Sequence, residues 1–306
     1  MIGELPSIGK AVVVLGVFDG VHRGHQALLR ATRQAAREIG ASSVALIFDP
    51  HPDEVIHPGR HVPRLMPVAT VERRLTGQGI DVAHVVYFDR ALQDVAAEGF
   101  LAMLDPAIEL RGLVMTPQSA FGRGRGGTVA RMREHGRRAG FEVVTVDPVL
   151  DDGSPISSSR LRQAVAAGDL PTVRRLGSPA YLEGTVVEGD HRGRELGYPT
   201  ANLRIDYTPA MPPNGIYTGR VSVPDRGVGP GHPALVSIGV RPTFHAHGER
   251  LVEVHLLDFD GDLYGACLEL ELYDRLRDEQ RFDDVDALVA QMRRDEAEAR
   301  RLLLPS

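Results

Sequence analysis

Cysteine is almost absent from this chain of 306 residues, which has Cys267 as its one copy. A single thiol excludes an internal disulfide framework. The chain also lacks an excess of basic residues, because its formal net charge is -6. Nucleic-acid-binding proteins need a basic surface field, so we expect no nucleic acid among the partners.

Long hydrophobic segments are missing as well. The N-terminal sequence MIGELPSIGK has neither the apolar core of a signal peptide nor the length to span a membrane. We therefore expect a cytoplasmic protein without a membrane partner. Internal repeats and low-complexity tracts are also lacking, and the composition, 42% hydrophobic and 25% charged, is that of a globular protein. A chain of this length exceeds one typical core and predicts two domains.

The first informative stretch is Gly16 to His25, GVFDGVHRGH, where an apolar run ends in a glycine-rich turn. The preceding run AVVVLGV is typical of a buried strand. Helical spacing of apolar residues after the turn predicts a helix from near Gly24 or His25 to a C-cap at Gly40. A strand, a glycine turn and a helix N-terminus together favour phosphate binding, because the first-turn N–H groups lack partners within the helix.

Two histidines in this stretch, His22 and His25, can add hydrogen bonds to a phosphoryl group. The pattern H-x-G-H beside FDG resembles the signature of the nucleotidylyltransferases, which transfer a nucleoside monophosphate from a nucleoside triphosphate and release pyrophosphate. A surface pair of histidines and half of a metal site are the alternatives. Zinc would need further ligands, and Cys267 is far away in the sequence.

Strand-like runs alternate with helical patterns over residues 1–180, which predicts an α/β domain with a parallel, Rossmann-like sheet. Its predicted strands are 11–17, 44–48, 82–88, 113–115 and 143–146. Ligands bind beyond the carboxyl ends of such strands.

Two further motifs follow predicted strands of this domain. FDPHP, residues 48–52, contains prolines that stiffen a loop and can shape a pocket wall, although a rigid surface turn is the plain alternative. ISSSRLR, residues 156–162, puts hydroxyls at the start of a helix that we expect to run to about Ala167, with Arg162 inside it. These groups suit phosphate oxygens, and the alternative is an ordinary serine cap with a solvated arginine.

Residues 181–306 follow a different pattern, because apolar and polar residues alternate strictly in runs such as 251–257 and 267–273. The clearest case is 267–273, with Leu268, Leu270 and Leu272 on one face. The alternation predicts a small antiparallel β-barrel, with further strands at 186–188, 201–205, 216–223, 234–238 and 251–257. A final amphipathic helix is expected to cover the barrel with the face made of Val285, Leu288, Val289 and Met292. An aspartate such as Asp283 can cap its start.

The second half also contains GDHRGRELGYPTANL at 189–203, VRPTF at 240–244, VEVHLLDF at 252–259 and DLYG at 262–265. Together with the N-terminal motifs, they resemble the bacterial bifunctional riboflavin kinase and FAD synthetase family over nearly the whole chain. The resemblance implies a nucleotidylyltransferase domain followed by a riboflavin kinase domain. The first would convert FMN to FAD with release of pyrophosphate, and the second would phosphorylate riboflavin to FMN with ATP and Mg²⁺.

In the kinase half, the resemblance and the chemistry together assign four kinds of residue. Glu253 is the candidate base, because strand alternation takes its carboxylate off the apolar face; a solvated strand carboxylate is the alternative. Thr200 and Asn202 offer hard oxygen ligands for Mg²⁺ on one strand face. The glycine-broken loop that we assign to ATP, with a plain turn as the alternative, contributes Gly189, Arg192, Gly193 and Gly197. The candidate flavin contacts are Arg241 and Thr243.

In the first half, no general base is required, because the attacking phosphate of FMN is already ionised. His22, His25 and Arg162 are the candidate catalytic residues. The candidate ATP-binding residues are Gly16, Phe18, Asp19, Gly24, Ser157 and Ser158, and the candidate flavin-binding residues are Pro52, Gln118 and Phe121.

One segment of the first half departs from the family pattern. Family members usually have a short polar residue followed by an aromatic before the FGRGR-like stretch, whereas this chain has Gln118 and Ser119. The departure keeps open the alternative of a riboflavin kinase with weak or altered nucleotidylyltransferase activity. A flavin-binding or nucleotide-binding regulator without turnover is a third hypothesis, against which Thr200, Asn202 and Glu253 argue. We expect a monomer or weak homo-oligomer.

Overall fold

The structure, a computed structural model, describes residues 5–189, 197–240 and 250–304. Arg192, Gly193, Arg241 and Thr243 lie outside the described residues. The chain forms two compact units: Met1–Pro63 with Pro67–Arg160, and Arg64–Met66 with Leu161–Ser306. The division falls between Arg160 and Leu161, and the sequence-based boundary at 180 stays a prediction.

The first unit alternates strands and helices along the chain as the sequence predicts. Its elements are β1 (Gly9–Gly16), α1 (Arg23–Glu38), β2 (Ser42–Asp49), α2 (Pro52–Ile56), α3 (Val68–Gly77), β3 (Val82–Tyr87), α4 (Arg90–Gln93), α5 (Ala97–Ala102), β4 (Ile108–Met115), β5 (Ala120–Phe121), β6 (Gly127–Thr128), α6 (Val129–Ala139), β7 (Glu142–Thr145), β8 (Leu150–Asp151) and β9 (Ser154–Pro155), with α7 (Ser158–Ala167) beginning at its end.

A parallel five-stranded sheet in the order β3-β2-β1-β4-β7 forms the centre of this unit. Four consecutive residues of β1, Ala11 to Val14, are each at most 1% exposed. Side chains alternate between the faces of a strand, so burial of consecutive residues means that both faces of the sheet are covered. The predicted parallel sheet is confirmed.

Helix α1 begins within a residue or two of the predicted position. His22 is its N-cap, with extended backbone and an imidazole Nδ1 that accepts a hydrogen bond from the His25 N–H at 3.3 Å. Leu29, Thr32 and Ala36 form the buried face, and Gly40 has the left-handed backbone expected after a helix end.

The FDPHP motif differs from its prediction as a stiffened loop. The chain leaves β2 at Asp49, and His51 already caps a short helix, accepting the Asp53 N–H on Nδ1 at 3.1 Å. Pro52 is the first residue of that helix, α2. Proline suits this position because the first helical N–H has no partner within the helix in any case.

The second unit is built on an antiparallel barrel. Its elements after α7 are α8 (Leu170–Arg175), β10 (Ala180–Val187), β11 (Ala201–Arg204), β12 (Gly215–Val223), β13 (Val228–Val240), β14 (Arg250–Leu256), β15 (Cys267–Arg277) and α9 (Val285–Leu303). Six strands close in the order β10-β11-β14-β13-β12-β15, and all neighbouring pairs are antiparallel. The predicted closed barrel is confirmed.

Alternation places the core inside this barrel as predicted, since Leu268, Leu270 and Leu272 of β15 are at most 2% exposed. The final helix α9 packs on β12 and β13. An aspartate caps it, although the residue is Asp284 and not Asp283, and its carboxylate accepts the Ala287 N–H at 2.7 Å. The prediction that Val285 belongs to the covered face is wrong. Val285 is 58% exposed. As the first helical residue it precedes the buried stretch, which includes Asp295, Ala299 and Leu303.

Candidate active sites

The turn between β1 and α1 brings together aromatic and imidazole rings. The rings of His22 and His25 stack at 3.7 Å with an interplanar angle of 15°, and the Phe18 ring meets His25 edge-on at 5.2 Å. Phe18 and Val21 both have positive φ, at 54° and 40°. A β-branched residue in that region is a conformational outlier, and such outliers concentrate at functional sites.

The ISSSRLR motif contacts this turn directly, as its predicted convergence requires. The Ser158 hydroxyl donates to the Asp19 carbonyl oxygen at 2.8 Å, across 139 residues of sequence. A Cβ added at Gly24 would lie 3.1 Å from the His22 ring and 3.5 Å from the Ile156 carbonyl oxygen, so glycine permits this close approach. The first and third motifs of the N-terminal half therefore contact each other.

The two arginines of this motif have different surroundings. Arg160 donates to the carboxylate of Asp151 at 3.0 Å and to the carbonyl oxygens of Ser154 and Pro155, so it fixes the β8–β9 hairpin. Ser157 accepts the Arg160 N–H on its hydroxyl at 3.3 Å, as a helix cap does. Arg162 lies four residues after Ser158 in α7 and therefore leaves the helix on the same side.

The three predicted flavin contacts of this half lie on segments that follow β2 and β4. These strands flank β1, and the carboxyl ends of parallel strands lie at one edge of the sheet. Pro52 follows β2, whereas Gln118 is exposed in the turn after β4. Phe121 packs its ring on Phe100 at a centroid distance of 5.9 Å, so part of its surface belongs to the core.

Ser119 closes the turn after β4 through its hydroxyl. The Ser119 Oγ accepts the Thr116 N–H at 3.1 Å and lies 2.8 Å from the Thr116 hydroxyl oxygen. The residue that replaces the family's aromatic therefore points back into its own turn.

A cavity of about 940 Å³ in the second unit is lined by four of the predicted kinase residues, Gly189, Thr200, Asn202 and Glu253. Gly197, with a φ of +82°, precedes the lining residue Tyr198. The structure thus places in one cavity the candidate base, both candidate metal ligands and one end of the glycine-rich loop that is the candidate ATP site.

Strand register explains how Asn202 and Glu253 come together. They are directly opposite each other in the antiparallel β11–β14 pair, and Ser237 continues the row on β13. Directly opposed residues share a face of the sheet with Cβ atoms about 5 Å apart. Glu253 lies between the buried Val252 and Val254 in sequence, so it points away from the barrel core as predicted.

The oxygen donors of Thr200 and Asn202 fit a magnesium ion. They lie two residues apart at the start of β11, both line the cavity, and both offer the hard oxygen ligands that Mg²⁺ takes. A Cβ at Gly189 would lie 2.2 Å from the Asn202 amide nitrogen, so a larger residue there would displace the Asn202 side chain. Among the residues described, no group of three or more His, Cys, Asp or Glu side chains is arranged to hold a metal.

Sequence reasoning missed several residues that line this cavity. The side chains of Leu288 and Met292 reach it from α9, together with Asp295, which Arg277 grips in a two-pronged ion pair with the shortest contact at 2.7 Å. Tyr198 and His255 line it as well.

The alternation in VEVHLLDF could have predicted His255 as a site residue, because His255 shares a strand face with Glu253. Burial raises the pKa of the Tyr198 phenol, and the nearby Glu296 carboxylate raises it further.

Two family models match the two halves of the chain. A family model described as FAD synthetase matches residues 6–160, and one described as riboflavin kinase matches residues 176–303. The fold and sites thus define a transferase that joins an adenylyl-transferring module to a flavin-phosphorylating one.

Two curated relatives match over nearly their whole length. The bifunctional riboflavin kinase/FMN adenylyltransferase of Pseudomonas fluorescens is 36% identical, over 98% of this chain and 96% of that protein. The one of Listeria monocytogenes is 34% identical, over 97% of this chain and 93% of that protein. The chain belongs to the family of bifunctional riboflavin kinase/FMN adenylyltransferases.

A solved structure shares the fold over almost the entire chain. It is described as a macrolide-efflux protein from Streptococcus pneumoniae, and it is 33% identical with a TM-score of 0.86, covering 97% of this chain and 96% of that one. In the part of the present chain that the structure describes, no helix has the length and apolar character needed to cross a bilayer.

Proposed function

We infer that the protein performs both reactions of its family. It phosphorylates riboflavin to FMN with ATP, and it adenylylates FMN to FAD with release of pyrophosphate. The observation that carries this inference is that one chain has two separate groups of residues with the chemistry phosphate transfer needs, the histidine turn at the start of α1 and the Asn202–Glu253 pair in the cavity of the second unit. Each lies within the matching family region.

We propose Glu253 as the base of the kinase reaction. Its carboxylate accepts the proton of the riboflavin 5′-hydroxyl while that oxygen attacks the γ-phosphorus of ATP, and ADP leaves. Glu253 suits this role because it is half-buried in the cavity and shares a face with Asn202. Thr200 and Asn202 would hold Mg²⁺, which when bound offsets the negative charge of the ATP phosphates.

The ATP phosphates are assigned to the loop that contains Gly189, Arg192, Gly193 and Gly197. The close packing of Gly189 on Asn202 supports this assignment, because it brings loop backbone beside a proposed metal ligand. Arg241 and Thr243 remain the proposed flavin contacts, with the walls formed by Leu288 and Met292 adding apolar surface.

We propose that the first unit brings two anions together. The FMN phosphate attacks the α-phosphorus of ATP, and pyrophosphate leaves. His22 accepts a hydrogen bond on Nδ1, so its neutral ring carries the proton on Nε2, where it can be donated to a phosphate oxygen. His25, Ser157, Ser158 and Arg162 are the further proposed phosphate contacts, and Gly16, Phe18, Asp19 and Gly24 shape the turn that receives ATP. Pro52, Gln118 and Phe121 are the proposed flavin contacts.

Several properties of the whole protein belong to the same proposal. Its substrates are riboflavin, FMN and ATP with Mg²⁺, its location is the cytoplasm, and it is a monomer or weak homo-oligomer. Nucleic acid and membranes are not among its proposed partners.

The test is to incubate the protein with riboflavin, ATP and magnesium and to separate riboflavin, FMN and FAD by chromatography over time. We expect both FMN and FAD, with ADP and pyrophosphate as co-products. Binding of riboflavin without release of ADP would instead support a regulator without turnover.

A second candidate, a riboflavin kinase with weak FAD formation, is favoured by one observation. Position 119 has a serine and therefore no aromatic surface for a flavin ring, and the serine hydroxyl bonds within its own loop. The time course distinguishes the two, because FMN then accumulates while FAD stays low.

A further inference from the structure

We propose that His255 is a positioning residue of the kinase site, whose imidazole anchors the Tyr198–Thr200 segment to the strand that contains Glu253. The proposal rests on the kinase function and on the metal role of Thr200 proposed above.

The location of His255 ties it to the base. It follows Glu253 by two residues in β14, so both side chains leave the same face of the strand. Both also line the barrel cavity.

One hydrogen bond joins His255 to the segment before Thr200. The imidazole Nδ1 lies 2.8 Å from the carbonyl oxygen of Pro199. A carbonyl oxygen only accepts, so the ring donates from Nδ1–H. The residue held in this way directly precedes the proposed metal ligand.

The strand pairing between β11 and β14 does not extend to Pro199. The register between β11 and β14 covers only Ala201 opposite Val254 and Asn202 opposite Glu253. Pro199 has no N–H with which to extend the ladder. The side chain of His255 thus continues the anchoring where the strand pairing ends.

Ring packing holds the segment from its other end. The Tyr198 and His255 rings lie 5.3 Å apart at 59°, and Tyr198 is 8% exposed. The Tyr198 phenol interacts with Glu296 and Arg293 of α9. His255 therefore contacts this segment at two successive residues, through its ring at Tyr198 and through its hydrogen bond at Pro199.

The test compares four variants of the full chain: His255→Ala, His255→Asn, His255→Gln and His232→Ala. The asparagine amide N–H is as many bonds from Cα as Nδ1 is, whereas the glutamine amide corresponds to Nε2. His232 is the matched control, because it too bonds a carbonyl oxygen in this unit, that of Leu257 at 2.8 Å, but has no bond to residues 198–200.

Three measurements are made on each variant. They are kcat and KM for riboflavin phosphorylation, ADP affinity by calorimetry with magnesium or with EDTA, and the rate of FMN adenylylation. The last serves as an internal control, and circular dichroism checks folding.

For His255→Ala we expect kcat to fall roughly tenfold to a hundredfold and magnesium-dependent ADP affinity to fall about tenfold, the usual scale for groups that orient metal ligands. ADP affinity in EDTA, KM for riboflavin and FMN adenylylation should stay within about twofold of the wild type, since the change concerns ligand placement alone. His255→Asn should recover most of the loss and His255→Gln little of it, and His232→Ala should match the wild type.

Wild-type kcat and magnesium-dependent ADP affinity in His255→Ala would overturn the proposal, and so would equal defects in the Asn and Gln variants. If the Ala variant does not fold, the Asn and Gln pair decides alone. Failure of the kinase function itself is distinguishable, because the wild-type protein would then release no ADP in the presence of riboflavin.

Discussion

At the scale of single residues, the sharpest expectation concerns Glu253. A hydroxyl nucleophile needs its proton removed, whereas the FMN phosphate does not, so the two reactions differ in their need for a base. We expect Glu253→Gln to lower the riboflavin kinase rate by on the order of a hundredfold or more while FMN adenylylation stays near normal. Assays of each half-reaction with its own substrate measure this. A variant with the full kinase rate would exclude Glu253 as the base.

His25 gives the mirror expectation in the first unit. Its ring stacks on His22 and touches Phe18, so His25→Ala removes both a phosphate contact and the packing of the turn. FAD formation should fall by on the order of a hundredfold while FMN formation is preserved. The same two assays apply, and equal damage to both reactions would indicate misfolding or a shared site.

The third expectation for single residues concerns Gln118 and Ser119, where the chain departs from the family pattern. An aromatic pair contributes about 0.5–1.5 kcal/mol beyond burial, and a misplaced reacting group costs on the order of a hundredfold in rate. We expect FMN to accumulate in the wild-type time course, and Gln118→Asn with Ser119→Phe to raise the FAD-forming rate.

The control for this pair is Ser119→Ala, which removes the hydrogen bonds to Thr116 without adding a ring. It should not raise the rate. If the wild type makes FAD from FMN as fast as it makes FMN, the departure is harmless and another residue, such as Phe121, supplies the contact.

At the scale of elements, a largely buried ion pair joins the last helix to the barrel. Asp295 of α9 and Arg277 of β15 have side chains only 8% and 16% exposed, and Gln291 donates to the same carboxylate at 2.8 Å. Removing one partner leaves a buried charge uncompensated, which costs about 3–5 kcal/mol. We expect Asp295→Ala to lower the free energy of unfolding by about that amount, measured by urea denaturation of the full chain.

Glu298→Ala is the matched control for this prediction. It lies one turn further along α9, and its ion pair with Arg301 is solvent-exposed. Exposed pairs contribute little, so its unfolding curve should coincide with the wild type. An Asp295→Ala curve that also coincides with the wild type would mean that the pair does not anchor the helix.

The sequence was most informative about the secondary-structure elements and the sheets they form. Aliphatic runs and strict alternation predicted the parallel sheet and the barrel, because burial on two faces and on one face leave different patterns. Interactions between side chains distant in sequence were not predictable in this way. The Ser158 bond to Asp19 and the Arg277–Asp295 pair depend on tertiary contacts. His22 as an N-cap was missed, since helix signals favour Ser, Thr, Asp and Asn.

At the scale of the whole molecule, we expect the kinase module to be separable, and the structure suggests where to cut. Helix α8 packs on β10 and β15, with Leu170, Val173 and Leu176 at most 1% exposed. Asp169 caps it by accepting the Thr172 N–H at 3.1 Å. A cut at 180 would remove this helix, whereas a cut at the division between Arg160 and Leu161 keeps it, together with the buried Leu161 and Val165 of α7.

A fragment of residues 161–306 should therefore fold and phosphorylate riboflavin at close to the rate of the full chain. A fragment of residues 181–306 loses those three buried side chains, each contributing about 1.5–3 kcal/mol, so it should unfold at a lower urea concentration. Circular dichroism and the kinase assay on both fragments measure this. If the longer fragment is folded yet inactive at saturating ATP and magnesium, the kinase site needs residues of the first unit, and the two-module interpretation is wrong.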